Sequence, residues 1–539
     1  RIGAMQARGL TPLVGRKNSM AALQELYENV KDGAGQVVGL VGEPGVGKSR
    51  LLMEFKNMLP VDESFYLEGR CFHYGESMAY LPILDILKSY FAIDEGDNEP
   101  QIKMKLEEKI ISLNSMLQRA IPPFQDLLSL QPEDENYQQL EPQQKRDITF
   151  EAIRDLLIRI SQEKLLVIAI EDLHWIDKTS EEFLDYVIDW LANARVLLVL
   201  LYRPEYNHPW GSKSYYTKIG LNQLGIPSSA EMLQVLFEDG EVDLLARDLI
   251  LERASGNPLF IEEFTQNLLE NGFVDKREDK YVLTREVSEI QVPDTIQGLI
   301  AARIDRLEEN IKRTMQIAAV IGRDFAFRIL HRITEMRDEL KAYLLSLQGL
   351  EFIYEKSLFP ELEYIFKHAL TQEVAYNSLL AGRRKDLHRK VGEAMETIFS
   401  DRLAEYTSLI GEHFLRGEAW EQAFDYLDKA GDAAARLYSH AEARLHYSRA
   451  IEALDQLGDT EANRRRRVDT IIKQTLFSWR ADSPERNLTR LSQAEQLAKG
   501  LSSPEGAPEG DSLRLARVHF WMGRVHYSRC EMGEAIGYF

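Results

Sequence analysis

Residues 42–49 read Gly-Glu-Pro-Gly-Val-Gly-Lys-Ser, a complete GxxxxGK[ST] pattern. The glycines at Gly42, Gly45 and Gly47 let the backbone take positive φ, so that successive N–H groups curl inward around a negative charge. Glu43, Pro44 and Val46 complete the loop. The pattern needs a strand before it and a helix after it. Residues 35–42, GQVVGLVG, supply a short apolar run, and residues 49–59 supply an amphipathic helical period. The helix starting near Lys48 directs its positive dipole end at the same point. In such a loop the lysine, here Lys48, bridges the β- and γ-phosphates of a nucleoside triphosphate. The hydroxyl of Ser49 ligates Mg²⁺. The bland alternative is a Gly-rich turn without ligand, and the flanking strand and helix speak against it.

Hydrolysis needs a second element carrying carboxylates. Residues 165–172, LLVIAIED, form an apolar strand that ends in Glu171 and Asp172, where strands of an α/β sheet meet the cleft. One acid can hold the metal and the other can orient and deprotonate water. Position along the strand assigns Glu171 to the metal and Asp172 to water, although the order can be reversed, and the pair could instead cap a helix. The run RVLLVLLYRP ends at Arg203, a cation placed to face the γ-phosphate. A salt bridge to Glu205 is its structural alternative. Trp175 reads as a packed aromatic, and His174 divides evenly between site and structure.

These runs, with SFYLEGRC at residues 64–71, alternate with helical patterns over residues 1–225. That order predicts an α/β nucleotide-binding domain with a parallel sheet and helices on both faces. Thr179 and Glu182 have capping-box spacing at the start of one helix. A Pro-, Gln- and acid-rich stretch at residues 131–145 reads as an exposed loop. Residues 226–287 read as an all-α domain. In residues 288–397 helices surround one β-hairpin, LEFIYEKSLFPELEYIF, which predicts a winged helix.

From residue 398 to 539 the chain reads as helical pairs. Ala423, Leu427 and Ala430 share a face, as do Ala443, Tyr447 and Ala450, and then Gly523, Tyr527, Ala535 and Phe539. This is the spacing of a degenerate tetratricopeptide-like α-solenoid, with a generic helical bundle as the alternative. The segment SSPEGAPEGD, residues 502–511, separates two units. The run Arg464, Arg465, Arg466 and Arg467 reads as a solvated helix face near many acids.

Charge and cysteine usage exclude several functions. Lys plus Arg is 65 against 86 for Asp plus Glu, a net charge of −21, so bulk nucleic-acid binding is unfavourable. Two cysteines, Cys71 and Cys530, form neither a disulfide framework nor a Cys-rich zinc site, and they fit a reducing, cytoplasmic location. Cys71 reads as a buried small hydrophobe. The longest apolar runs are far short of the roughly 18 residues needed to cross a bilayer. The chain starts at Arg1 and stops at Phe539 inside an apparent helix, which reads as a piece of a longer protein.

The ordered segments LVGRKNSMAALQEL, LVGEPGVGKSRLL, IEDLHWID, LLYRPE and SGNPLFIEE together resemble the signal-transduction ATPases with numerous domains (STAND), a class of P-loop ATPases. The nearest resemblance is to the bacterial type often fused to class III adenylate cyclase or helix-turn-helix effectors. The resemblance implies that Val14, Gly15 and Arg16 run beside adenine. It implies that Pro258, in Gly256-Asn257-Pro258, packs on the base, and that Arg50 joins the loop residues around ATP or ADP. It implies that His368 in FKHAL reaches ADP, a buried backbone-bonded histidine being the alternative. The family often has two aspartates where this chain has Glu171 and Asp172. Residues 1–10 resemble the linker after a cyclase domain. A protein or small-molecule signal on the repeats, a fused effector and nucleotide-dependent oligomers are the implied partners. Slow ATP hydrolysis in a signalling switch is the implied activity, with a non-hydrolysing nucleotide-bound scaffold as the alternative.

Overall fold

The computed structural model describes residues 12–538, apart from 73–74, 95, 239, 278–279, 287–292, 294, 335–337, 358–361 and 502–510. The readings of residues 1–10 as a linker, of the loop at 502–510 and of Phe539 lie outside the described residues. Five strands, β1 (Gln36–Val41), β2 (Ser64–Arg70), β3 (Leu165–Glu171), β4 (Val196–Tyr202) and β5 (Tyr216–Gly220), form one sheet in the order β2-β3-β4-β1-β5. All its pairings are parallel. Every residue of β3 and β4 is buried. Strand alternation sends Ile168, Ile170, Leu198 and Leu200 into one apolar core and Val167, Ala169, Leu197 and Val199 into another, on the opposite face. The sheet is thus covered on both sides, as its nearly unbroken Val/Ile/Leu content requires.

Two local readings of this domain are corrected. The helix Lys178–Leu191 is capped by Asp177, whose Oδ1 accepts from Ser180 N at 2.8 Å, so Thr179 and Glu182 form no capping box. Glu182 instead pairs with Arg146 at 2.6 Å. Residues 131–145 are only partly a loop. A short helix, Glu135–Gln138, buries Tyr137, whose hydroxyl donates to Asp126 at 3.2 Å, and a long helix starts at Pro142.

Next come the helices Ile226–Leu236, Leu244–Ala254 and Pro258–Glu270, packed around Leu233, Phe237, Ile250, Ile261 and Phe264. They carry a small sheet that the sequence pattern did not announce, of β6 (Glu241–Val242), β7 (Val274–Arg277) and β8 (Lys280–Leu283), in the order β6-β8-β7. The following unit has six helices, from Ile296–Asp305 to Ala381–Ile398, among the described residues. Its sheet pairs β10 (Ile353–Ser357) with β11 (Glu363–Phe366), and β11 with β9 (Asp324–Ala326), all antiparallel. Helices around one β-hairpin are the pattern that the winged-helix expectation rested on, and residues 358–361, between β10 and β11, lie outside the described residues.

From Leu403 onward, consecutive helices pack each on the next, ending with Ser512–Ser528 and Met532–Tyr538. Ala423, Leu427, Ala430, Ala443, Tyr447 and Ala450 are all buried. Close approach depends on Gly431, where a Cβ would lie 2.5 Å from the Tyr447 ring. Gly523 and Ala535 are buried as expected, whereas Tyr527 is exposed. One continuous core runs from Ile300 to Leu454, joining the winged helix to the first repeats. The arginine run is neutralised by Asp459, Glu461, Glu421 and Asp455, a solvated face among acids.

Candidate functional site

The carboxyl ends of β1, β3 and β4 open into a cavity of about 1400 Å³, roofed by the helical and winged-helix units. β4 lies between β1 and β3, so Arg203, the phosphate loop and the acid pair converge at one sheet edge although they are far apart in sequence. The loop turns at Gly45 and Gly47, with φ of 82° and 96°. Gly47 then leads into the helix Lys48–Met58. Lys48 Nζ folds back on the loop and donates to the carbonyls of Gly42 and, at 3.1 Å, Glu43. Burial pushes its ammonium below the ordinary lysine range, with Asp172 opposing.

The Ser49 hydroxyl donates to Glu171 Oε2, joining the loop to the acid strand. Glu171 is buried at the end of β3 and stands in register beside Arg70 of β2. Asp172 follows in the left-handed region at φ 56°, and its Oδ2 accepts from Arg323 Nη1 at 3.0 Å. Neither acid caps a helix through its side chain, since Asp177 fills that role. Arg203 lies 5.2 Å from the Trp175 ring centre and 4.0 Å from Glu205, a loose ion pair. Trp175 both packs on the core and lines the cavity. Both ring nitrogens of His174 are buried with no hydrogen-bond partner among the described residues. Burial, helped by Arg203 and Lys48, lowers its pKa to about 4, so it is neutral near pH 7.

The remaining candidates divide into cavity wall and support. Val14, Arg16, Glu43, Pro44, Val46, Arg50, Pro258 and His368 line the cavity. Gly15 and Gly42 stand behind it, where a Cβ would meet Ser228 Oγ at 2.7 Å and the Leu221 carbonyl at 2.6 Å. Arg16 is a brace: its guanidinium donates to the carbonyls of Val46 (2.9 Å) and Asn222 (2.7 Å). Arg50 pairs with Glu54 along its own helix. His368 precedes the helix Ala369–Asn377, and its carbonyl accepts from Thr371 N at 3.1 Å. Cys71 is buried, and burial raises its thiol pKa well above the usual value, as befits a packing residue.

For three neighbours of the site, the sequence pattern announced no contact. Asn257 caps the helix Pro258–Glu270 and donates to the Pro44 carbonyl at 3.1 Å, which clamps the helical unit to the phosphate loop. Arg323 reaches Asp172 from the winged helix. Glu442, on the repeat helix His440–Asp455, accepts from Thr179 N (3.0 Å) and Thr179 Oγ1 (2.7 Å) at the buried start of the helix Lys178–Leu191. Each bond spans well over a hundred residues, so no local period could reveal it.

The residues fit a nucleotide with a hard divalent cation. The left-handed turns at Gly45 and Gly47 curl the loop, and a hydroxyl and a carboxylate, Ser49 and Glu171, form an adjacent oxygen donor set of the kind Mg²⁺ prefers. Among the described residues no group of three or more His, Cys, Asp or Glu could hold a metal, so phosphate oxygens would complete the shell. No helix among them is long and apolar enough to cross a membrane.

Residues 12–199 match the AAA ATPase domain family. An uncharacterised protein of Rhizobium meliloti (strain 1021) is 26% identical over 460 residues, which make up 84% of this chain and 43% of that protein. The chain therefore spans less than half the length of this relative. Among solved structures, the Signal Transduction ATPase with Numerous Domains (STAND) protein with a tetratricopeptide repeat sensor from Pyrococcus horikoshii aligns over 98% of this chain and 76% of its own. Identity there is 13% and the TM-score is 0.38.

Proposed function

We propose that this chain, whose first domain is an AAA-type ATPase domain, is a STAND-class signalling switch controlled by ATP and ADP, with slow Mg²⁺-dependent hydrolysis. The observation that carries the reading is the Ser49–Glu171 hydrogen bond, which puts the end of the phosphate loop against the acid strand. Bound Mg²⁺ would supply charge neutralisation at the phosphates, held by Ser49 and Glu171. The loop backbone and the Lys48 helix end bind and orient the phosphates. Lys48 and Arg203 offset negative charge developing during transfer. Asp172 orients the attacking water and takes its proton. Val14, Arg16, Pro258 and His368 enclose the rest of the nucleotide.

ADP held between the ATPase, helical and winged-helix domains (residues 1–225, 226–287 and 288–397) keeps the closed form, and exchange for ATP releases it. The repeats at 398–539 receive a protein or small-molecule signal, which favours the open form. The output passes to a fused or partner effector, an adenylate cyclase domain being the class that the sequence resemblance implies. Oligomerisation in the ATP state belongs to the same reading, as does a cytoplasmic location.

Steady-state ATP hydrolysis tests the site. K48A and D172N are expected to lose on the order of 10² in rate or more. Wild-type-like turnover in either variant removes the assignment. A second reading, a scaffold that retains nucleotide without hydrolysing it, draws support from the engagement of Asp172 by Arg323. Retained ADP with no phosphate release under any condition favours that scaffold.

A further inference from the structure

We infer that Arg323 is a positioning residue that withholds Asp172 from water, so that hydrolysis depends on the placement of the winged helix. The inference rests on the reading of Asp172 as the water-activating carboxylate. Arg323 stands just before β9, and its backbone is fixed because its carbonyl accepts from Phe366 N of β11 at 3.0 Å. Its guanidinium then crosses to the end of β3 and holds Asp172 Oδ2 at 3.0 Å. A general base must lie within hydrogen-bond reach of the water it deprotonates. An oxygen committed to a guanidinium, on a residue already held in a left-handed turn, is poorly placed to do so.

The neighbouring residue makes the contact directional. Asp324 pairs with Arg70 at 3.1 Å and with Lys356 at 3.4 Å. Arg70 ends β2, beside Glu171 in the sheet register, and is held by Glu68 at 2.9 Å. Two adjacent winged-helix residues of opposite sign therefore grip the ends of two adjacent strands of opposite sign. A domain shifted along this edge would set like charges together, so the polarity of the pairs specifies one docked position. Arg323 and Asp172 are both largely shielded from solvent, which protects the pair from salt screening. Undocking the winged helix frees Asp172, and anything that draws Asp172 away loosens the dock by the same coupling.

The test compares the full chain with R323A, R323K and the double variant R323A/D172N. R323A is expected to raise kcat roughly 5-fold or more with KM unchanged. R323K, which keeps the charge, should return most of the restraint. A double-mutant cycle on thermal unfolding without nucleotide, using D172N, R323A and both together, should give a clear coupling between the two positions. A fall or no change in kcat for R323A overturns the inference, as does a cycle with no coupling. If no variant hydrolyses ATP the inference falls too. The reading of the site is judged separately, by ADP retention, which K48A alone should abolish.

Discussion

At Gly45 the phosphate loop has almost no room to vary. Its φ of 82° suits glycine, and a Cβ there would lie 2.8 Å from Asn257 Oδ1 and 3.0 Å from Leu259 Cβ. G45A is therefore expected to cost about 1–3 kcal/mol through backbone strain and to loosen the helical unit from the loop. Denaturant unfolding measures the first effect and fluorescent-nucleotide titration the second. A variant as stable as the parent, with unchanged nucleotide affinity, would contradict this. The loop itself was legible because its chemistry demands contiguous residues in fixed order. Its clamp was not, because Asn257 lies 213 residues from Pro44, and a capping asparagine looks the same whether or not it also holds a partner. Arg323 gave still less warning, being one polar residue just before a three-residue strand.

Among elements, β3 and β4 were readable because burial on both faces forces an apolar run, whereas β5 has five residues of which only Ile219 is buried. The helix Lys178–Leu191 carries a pH-sensitive cap. Asp177 accepts from Ser180 N and Tyr80 N, while its Oδ2 is buried without a partner among the described residues. Burial, then the nearby Glu442, raise its pKa to about 7. Between roughly pH 4 and 7 the folded chain keeps a proton on Asp177 that the unfolded chain has released, so this residue's contribution to stability falls as pH rises. D177N keeps the cap and removes the titration. The stability of the parent relative to D177N should thus decline across that window, by at most about 1.4 kcal/mol per pH unit. Unfolding curves at several pH values that keep a constant difference would refute it.

At the scale of the molecule, ion pairs between domains hold the roof over the cavity. Arg303 meets Glu263 at 2.6 Å with both side chains nearly inaccessible, and also Glu270 at 3.0 Å. Lys367, just before His368, joins Glu262 of the helical unit to Glu351 of the winged helix. R303M leaves Glu263 buried and unpaired and should cost roughly 3–5 kcal/mol, part of which E263Q in the same chain restores. A double variant no more stable than R303M would mean that the pair is not the source of the loss. Helix and strand content was open to sequence reasoning, but this docking was not. It depends on single charges whose partners are chosen by three-dimensional placement.

Glu442 adds a constraint of timing. The amino end of the helix Lys178–Leu191 is completed by a carboxylate 263 residues downstream. A ribosome adding about 5–20 residues per second delivers that carboxylate roughly 13–53 s after Thr179. During that interval the newborn ATPase domain has its phosphate loop and acid strand but lacks the repeat helix that closes over Thr179. Whatever occupies the phosphate loop in that interval does so before the repeat helix has arrived.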